Sequence, residues 1–114
     1  MQQRSEILKY LLDIESIIEE LEKILNHHNS DFIDFSLHFI SIRAVERDLM
    51  IIGEAVSKLQ KLTPQLTISC ASQIIGLRNM IVHAYDSIDP TVLWRILLKD
   101  IPILKLEVKA LIKG

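Results

Sequence analysis

Residues 7 to 25 read Ile7-Leu8-Lys9-Tyr10-Leu11-Leu12-Asp13-Ile14-Glu15-Ser16-Ile17-Ile18-Glu19-Glu20-Leu21-Glu22-Lys23-Ile24-Leu25, and within them Ile7, Leu11, Ile14, Ile18, Leu21 and Leu25 recur at alternating steps of four and three. That is the period of one helix face. Leu8, Leu12, Ile17 and Ile24 widen the apolar stripe, while Lys9, Asp13, Glu15, Glu19, Glu20, Glu22 and Lys23 occupy the other side. The stretch predicts an amphipathic helix facing a core. The polar run Asn26 to Asp31 breaks the pattern and reads as a turn. From about Ser36 to about Leu62 the spacing returns in Ile42, Val45, Leu49, Ile52, Val56 and Leu59, predicting a second helix folded back on the first as an antiparallel hairpin. Gly53 lies inside that helix at a cost of about 1 kcal/mol relative to alanine, which implies close approach of another backbone. Thr63-Pro64 ends it.

A polar connection from Gln65 to Ser72 overlaps the start of a shorter predicted helix, Ala71 to about Val82. Ser87-Ile88-Asp89-Pro90 interrupts it, and Asp89 is suited to cap a following helix with Pro90 at its first position. That last helix continues through Leu97, Ile101, Leu104, Val108 and Leu111, with Pro102 kinking or dividing it. Four or five helices and no convincing strand predict an all-α up-and-down bundle. The 114 residues make one domain, 1–114, without repeats or low-complexity segments.

Although 49% of the residues are apolar, no run approaches the roughly 18 consecutive apolar residues of a membrane span. The opening residues lack the basic patch and short apolar run of a secretory signal. A single cysteine, Cys70, forms no internal disulfide and reads as a packing residue, so a soluble, cytoplasmic protein is expected. Net charge is −2, a weak indication for nucleic acid, but residues 1–42 balance to −5 and residues 43–114 to +3. His27 and His28 are adjacent rather than four apart and His38 is isolated, so neither a metal site nor a cofactor is expected. Lys105, Lys109 and Lys113, with Arg95 and Lys99 upstream, fit either an RNA track or a solvated helix face. Phe32-Ile33-Asp34-Phe35 and Leu37-His38-Phe39 read as core or dimer contact.

Chemistry concentrates in Arg78-Asn79-Met80-Ile81-Val82-His83-Ala84-Tyr85. A guanidinium holds a phosphate by two hydrogen bonds, and an imidazole gives and takes protons near neutrality. The tyrosine hydroxyl offers a group that binds substrate or is modified. On one straight helix Arg78 and His83 point about 140° apart. Either the helix loosens near His83, or a second copy across a two-fold axis completes the site. Metal-free RNA cleavage needs a base for the 2′-hydroxyl, an acid for the leaving 5′-oxygen and a cation over the phosphorane, and a symmetric dimer supplies two of each group. Asn79 is suited to position the phosphate or the imidazole. Glu54, in an apolar stretch, is expected to need a partner such as Arg78 or His83 and to orient the site. The bland alternatives are a helix-end His83 bonded within the bundle, an Arg78 paired with Glu54 or Asp86, and a Tyr85 that simply packs.

The run Val45-Glu46-Arg47-Asp48-Leu49-Met50-Ile51-Ile52-Gly53-Glu54-Ala55, then Ile74-Ile75-Gly76-Leu77-Arg78-Asn79 with His83 and Tyr85, then Asp89 and Val92-Leu93-Trp94, resembles the HepT-like branch of the HEPN superfamily. The likeness covers nearly the whole chain. It implies a HEPN-like, homodimeric, metal-independent endoribonuclease toxin of a type VII-like toxin-antitoxin pair, with Arg78 and His83 as the catalytic pair and RNA as substrate. It also implies a minimal nucleotidyltransferase antitoxin that silences the toxin by transferring AMP to the motif tyrosine, here Tyr85. Where the family tends to carry a Pro-Trp pair, this chain has Ile68-Ser69-Cys70-Ala71. The competing class is a non-catalytic helical module in which the same residues bind a nucleotide or the nucleotidyltransferase.

Overall fold

A computed structural model describes residues 2–66, 68, 69, 71–83 and 89–114, and within these all side chains except those of Gln2, Arg78, Val82 and His83. Along the chain come α1 (Gln2–His27), α2 (Phe32–Ser36), α3 (Phe39–Leu62), α4 (Ala71–His83), α5 (Pro90–Arg95), a π-helical turn (Ile96–Asp100) and α6 (Ile101–Lys113). No strand occurs among the described residues. The all-α class expected from periodicity is what the chain adopts. None of these helices is long and apolar enough to cross a membrane.

The predicted stripes become the core. Leu11, Ile14, Ile18 and Leu21 of α1 meet Val45, Leu49, Ile52, Val56 and Leu59 of α3, each buried. The two helices run antiparallel, and the Gln3 side-chain amide donates to the carbonyl of Leu62 where the start of α1 meets the end of α3. α6 runs antiparallel to α1, with Lys105 Nζ 2.6 Å from Glu22 and Lys109 Nζ 3.3 Å from Glu15. α4 packs on α3 through Ala71, Ile74 and Leu77. Gly53 is buried within α3.

One boundary differs from the expectation of a single helix starting at about Ser36. The chain first forms the short α2, capped by Asp31, whose Oδ1 accepts from the amides of Ile33 (2.9 Å) and Asp34 (3.3 Å). It then restarts at Phe39, where His38 Nδ1 accepts from the Ser41 amide at 3.1 Å. An imidazole acts here as the helix cap, a role usually filled by Ser, Thr, Asp or Asn. Upstream, α1 closes by two reversed bonds, Ser30 N to Leu25 O and Asn29 N to Asn26 O, both 3.0 Å. Such an ending needs left-handed backbone, which Asn29 (φ 53°) and Ser30 (φ 56°) supply without glycine.

The predicted polar turn conceals a core residue. His28 is 2% exposed, its Nδ1 lying 2.6 Å from Asp34 Oδ2 and its Nε2 2.7 Å from Ser41 Oγ. One imidazole thus ties the end of α1 to both α2 and α3. The rings of His27 and His38 flank it at 4.9 and 5.1 Å. Among the described residues no group of three or more His, Cys, Asp or Glu is arranged to hold a metal ion.

At the other junction Asp89 Oδ1 accepts from the Thr91 amide at 2.9 Å, with Pro90 opening α5 as expected. Trp94 of α5 packs on Phe32 and Phe35 of α2, ring centres 5.7 and 5.2 Å away. Pro102 divides the last helix: lacking an N–H, it leaves the Leu98 carbonyl without its usual partner, and the backbone widens into the π-helical turn just before it. The aromatic runs are likewise divided. Phe35 is fully buried, whereas Ile33, Leu37, Phe39 and Ile40 stand 63 to 81% exposed.

Candidate functional site

α4 carries the reactive positions. Its buried edge, Ala71, Ile74 and Leu77, fixes it on α3, so the opposite edge with Ser72, Gln73, Gly76, Asn79 and Met80 remains exposed. The helix runs unbroken through position 83. The registers of positions 78 and 83 therefore stay about 140° apart around its axis. Whether the helix loosens near His83 toward the expected turn at residues 87–90, or a second copy completes the site, falls on residues and side chains outside those described. The side chains of Arg78 and His83 lie outside the described residues, as do Tyr85, Asp86 and Cys70 entirely.

Glu54 is exposed, although Gly53 beside it is buried. The desolvation cost that made a partner obligatory does not arise, and this corrects the reason given for assigning it an orienting role. α3 instead buries two carboxylates that the sequence reading passed over, Glu46 (6% exposed) and Asp48 (5%). The signal was legible. Ile42, Glu46, Leu49, Gly53 and Val56 form one seam of α3 at steps of four and three, and Val45, Asp48, Ile52, Ala55 and Leu59 form the next, so each seam holds one acid. Glu46 accepts from Arg43 Nη1 at 2.9 Å. Asp48 Oδ2 has no hydrogen-bond partner among the described residues, and its carboxyl is pushed up to about 6, first by burial and then by the Glu20 charge, against a smaller opposing pull from Arg47.

Beside α4 a groove of about 590 Å³ opens toward α5 and the π-helical turn. Ser72, Gln73, Gly76, Leu77 and Met80 form one wall; Val92, Arg95, Ile96, Lys99 and Asp100 form the other. Four basic residues of the last third of the chain thus divide into two sets. Lys105 and Lys109 are paired with α1 carboxylates, as a structural face would be, whereas Arg95 and Lys99 have no ion pair among the described residues and are exposed at the groove.

The profile of the family described as Ribonuclease HepT-like matches residues 7–111. A protein of Caldanaerobacter subterraneus subsp. tengcongensis provisionally named as an RNase is 31% identical, across 88% of this chain and 91% of its own length. A Thermococcus cleftensis protein provisionally named ribonuclease HepT is 34% identical across 84% and 86%. A Methanocaldococcus jannaschii protein, also provisionally named as an RNase, is 30% identical across 93% and 96%. No solved structure matches the chain.

Proposed function

The chain belongs to the Ribonuclease HepT-like family, and from that premise we propose that it is a metal-independent endoribonuclease acting as a homodimer, with Arg78 and His83 as its catalytic pair. The observation that carries the reading is the family match over residues 7–111, within which both positions fall on the single helix α4. In the proposed reaction the 2′-oxygen attacks phosphorus as an imidazole takes its proton. The bond from phosphorus to the 5′-oxygen breaks, and that oxygen leaves with the proton that the imidazole has just taken. Arg78 stabilises the charge on the phosphorane. The products are a 2′,3′-cyclic phosphate and a 5′-hydroxyl.

The separated registers of 78 and 83 support a site completed by a second copy, and the exposed Ile33, Leu37, Phe39 and Ile40 supply uncovered apolar surface of the kind such a copy buries. Asn79, exposed on α4, and Glu54, exposed on α3, are assigned to positioning. Control follows the family pattern: a minimal nucleotidyltransferase antitoxin moves AMP from ATP to the Tyr85 hydroxyl and releases pyrophosphate. The added anion next to the guanidinium then competes with RNA phosphate.

The test is incubation of the purified protein with tRNA and mRNA in EDTA. The expected result is cleavage that His83→Ala lowers by about 10²–10⁴. RNA left intact by the parent protein, together with retained nucleotidyltransferase binding, would mark a non-catalytic module instead.

A further inference from the structure

Resting on the ribonuclease reading, we propose that the groove between α4 and the α5–π segment seats the single RNA strand flanking the scissile linkage, with Arg95 and Lys99 holding its phosphates. Positions 72, 76, 80 and 83 follow one another at steps of four, four and three, the spacing of one helix face. The groove wall made by Ser72, Gly76 and Met80 therefore leads along α4 to position 83, roughly 10 Å from Gly76 at the rise of an α-helix. A strand lying in it ends at the reactive imidazole's own turn.

The lining suits a nucleic-acid strand. Arg95 and Lys99 stand one turn apart on the outer wall, a spacing that engages neighbouring phosphates, against one carboxylate among the described residues, Asp100. Ser72 and Gln73 add uncharged hydrogen-bonding groups, and Leu77, Met80, Val92 and Ile96 give an apolar floor for sugars and bases. Gly76 supplies an independent indication. It lies exposed in mid-helix, and a Cβ built on it meets nothing within 4 Å among the described residues, so their packing does not require a glycine there. A bare backbone at the centre of the wall instead lets a ligand approach closely.

The probe is fluorescein-labelled single-stranded RNA of about 4 and about 16 nucleotides, the range of site sizes for one small domain. Binding is followed by anisotropy across a salt series in the His83→Ala background, which keeps the strand intact. Arg95→Gln/Lys99→Gln is expected to weaken the long strand about tenfold and to flatten its salt slope by about 1.4, at about 0.7 per phosphate contact. Binding of the short strand changes little. Gly76→Gln, which fills the groove from a position with room for a side chain, is expected to weaken the long strand as well. Lys105→Gln/Lys109→Gln removes the same charge from the α1–α6 face and is expected to leave the slope unchanged. Equal losses in both double variants would overturn the groove in favour of a general field. No loss in Arg95→Gln/Lys99→Gln or Gly76→Gln, while wild type cuts RNA in EDTA, overturns the groove and leaves the ribonuclease reading standing. A wild type that neither cuts nor binds RNA removes both.

Discussion

Asp48 occupies a seam position of α3 where the period asks for an apolar side chain, and its Oδ2 is buried without a partner among the described residues. Its carboxyl titrates near 6 in the fold against an ordinary 3.8. Well below pH 3.8 it is neutral in both folded and unfolded chains and adds no pH dependence. As pH rises toward 6 the unfolded chain releases the proton first, so stability falls, and above about 6 the whole cost of burying the charge is present. Asp48→Asn removes that charge. It is expected to raise stability by about 1–2 kcal/mol at pH 8, less than the full shift implies because the amide is buried too, and to give little gain at pH 4. Urea unfolding at the two pH values checks the sign. A gain of equal size at both would mean that packing, not ionisation, is responsible. His28 shows the opposite outcome for a buried titratable group, since Asp34 and Ser41 satisfy both its ring nitrogens.

Among the elements, α4 combines good packing on one edge with a weak residue on the other. Gly76 has room for a Cβ, so Gly76→Ala is expected to raise unfolding stability by about 0.5–1 kcal/mol, as a glycine exposed in mid-helix predicts. Thermal and urea unfolding measure it, and a loss of stability would show that the exposed face is packed after all. Burial at Leu11, Ile14, Ile18 and Leu21, and again at Val45, Leu49, Ile52, Val56 and Leu59, was legible because a core-facing helix repeats its contacts every 3.6 residues. The Asp89-Pro90 start of α5 was legible because the cap is local. The break between α2 and α3 was not, since Leu37-His38 contains neither proline nor glycine and its cap is an imidazole. The burial of His28 was hidden because its partners lie 6 and 13 residues downstream. The two sets of basic residues were also grouped together, although Lys99 and Lys105 are six positions apart, about 120° around a regular helix, so their spacing already places them on different faces. At the candidate site, Arg78 could be put on α4 from sequence and His83 only at about its end, but the groove beside it needed the packing of α5 and the π turn.

For the molecule as a whole, the proposed dimer has a consequence that kinetics can test, since Arg78 and His83 stand at separated registers of one helix. If each site joins Arg78 of one protomer to His83 of its partner, two inactive chains complement each other. Co-expressing Arg78→Ala with His83→Ala gives mixed dimers in which one site keeps both groups and the other keeps neither. Random pairing makes about half the dimers mixed, each with one working site of two, so about a quarter of wild-type RNA cleavage is expected to return. Each variant alone remains inactive. Were the pair assembled within one protomer, no mixed dimer would hold an intact site, and the mixture would stay as inactive as its parts. Light scattering on the mixture belongs with the assay, because silence in a confirmed mixed dimer rejects the shared site whereas silence in a monomer rejects the dimer itself.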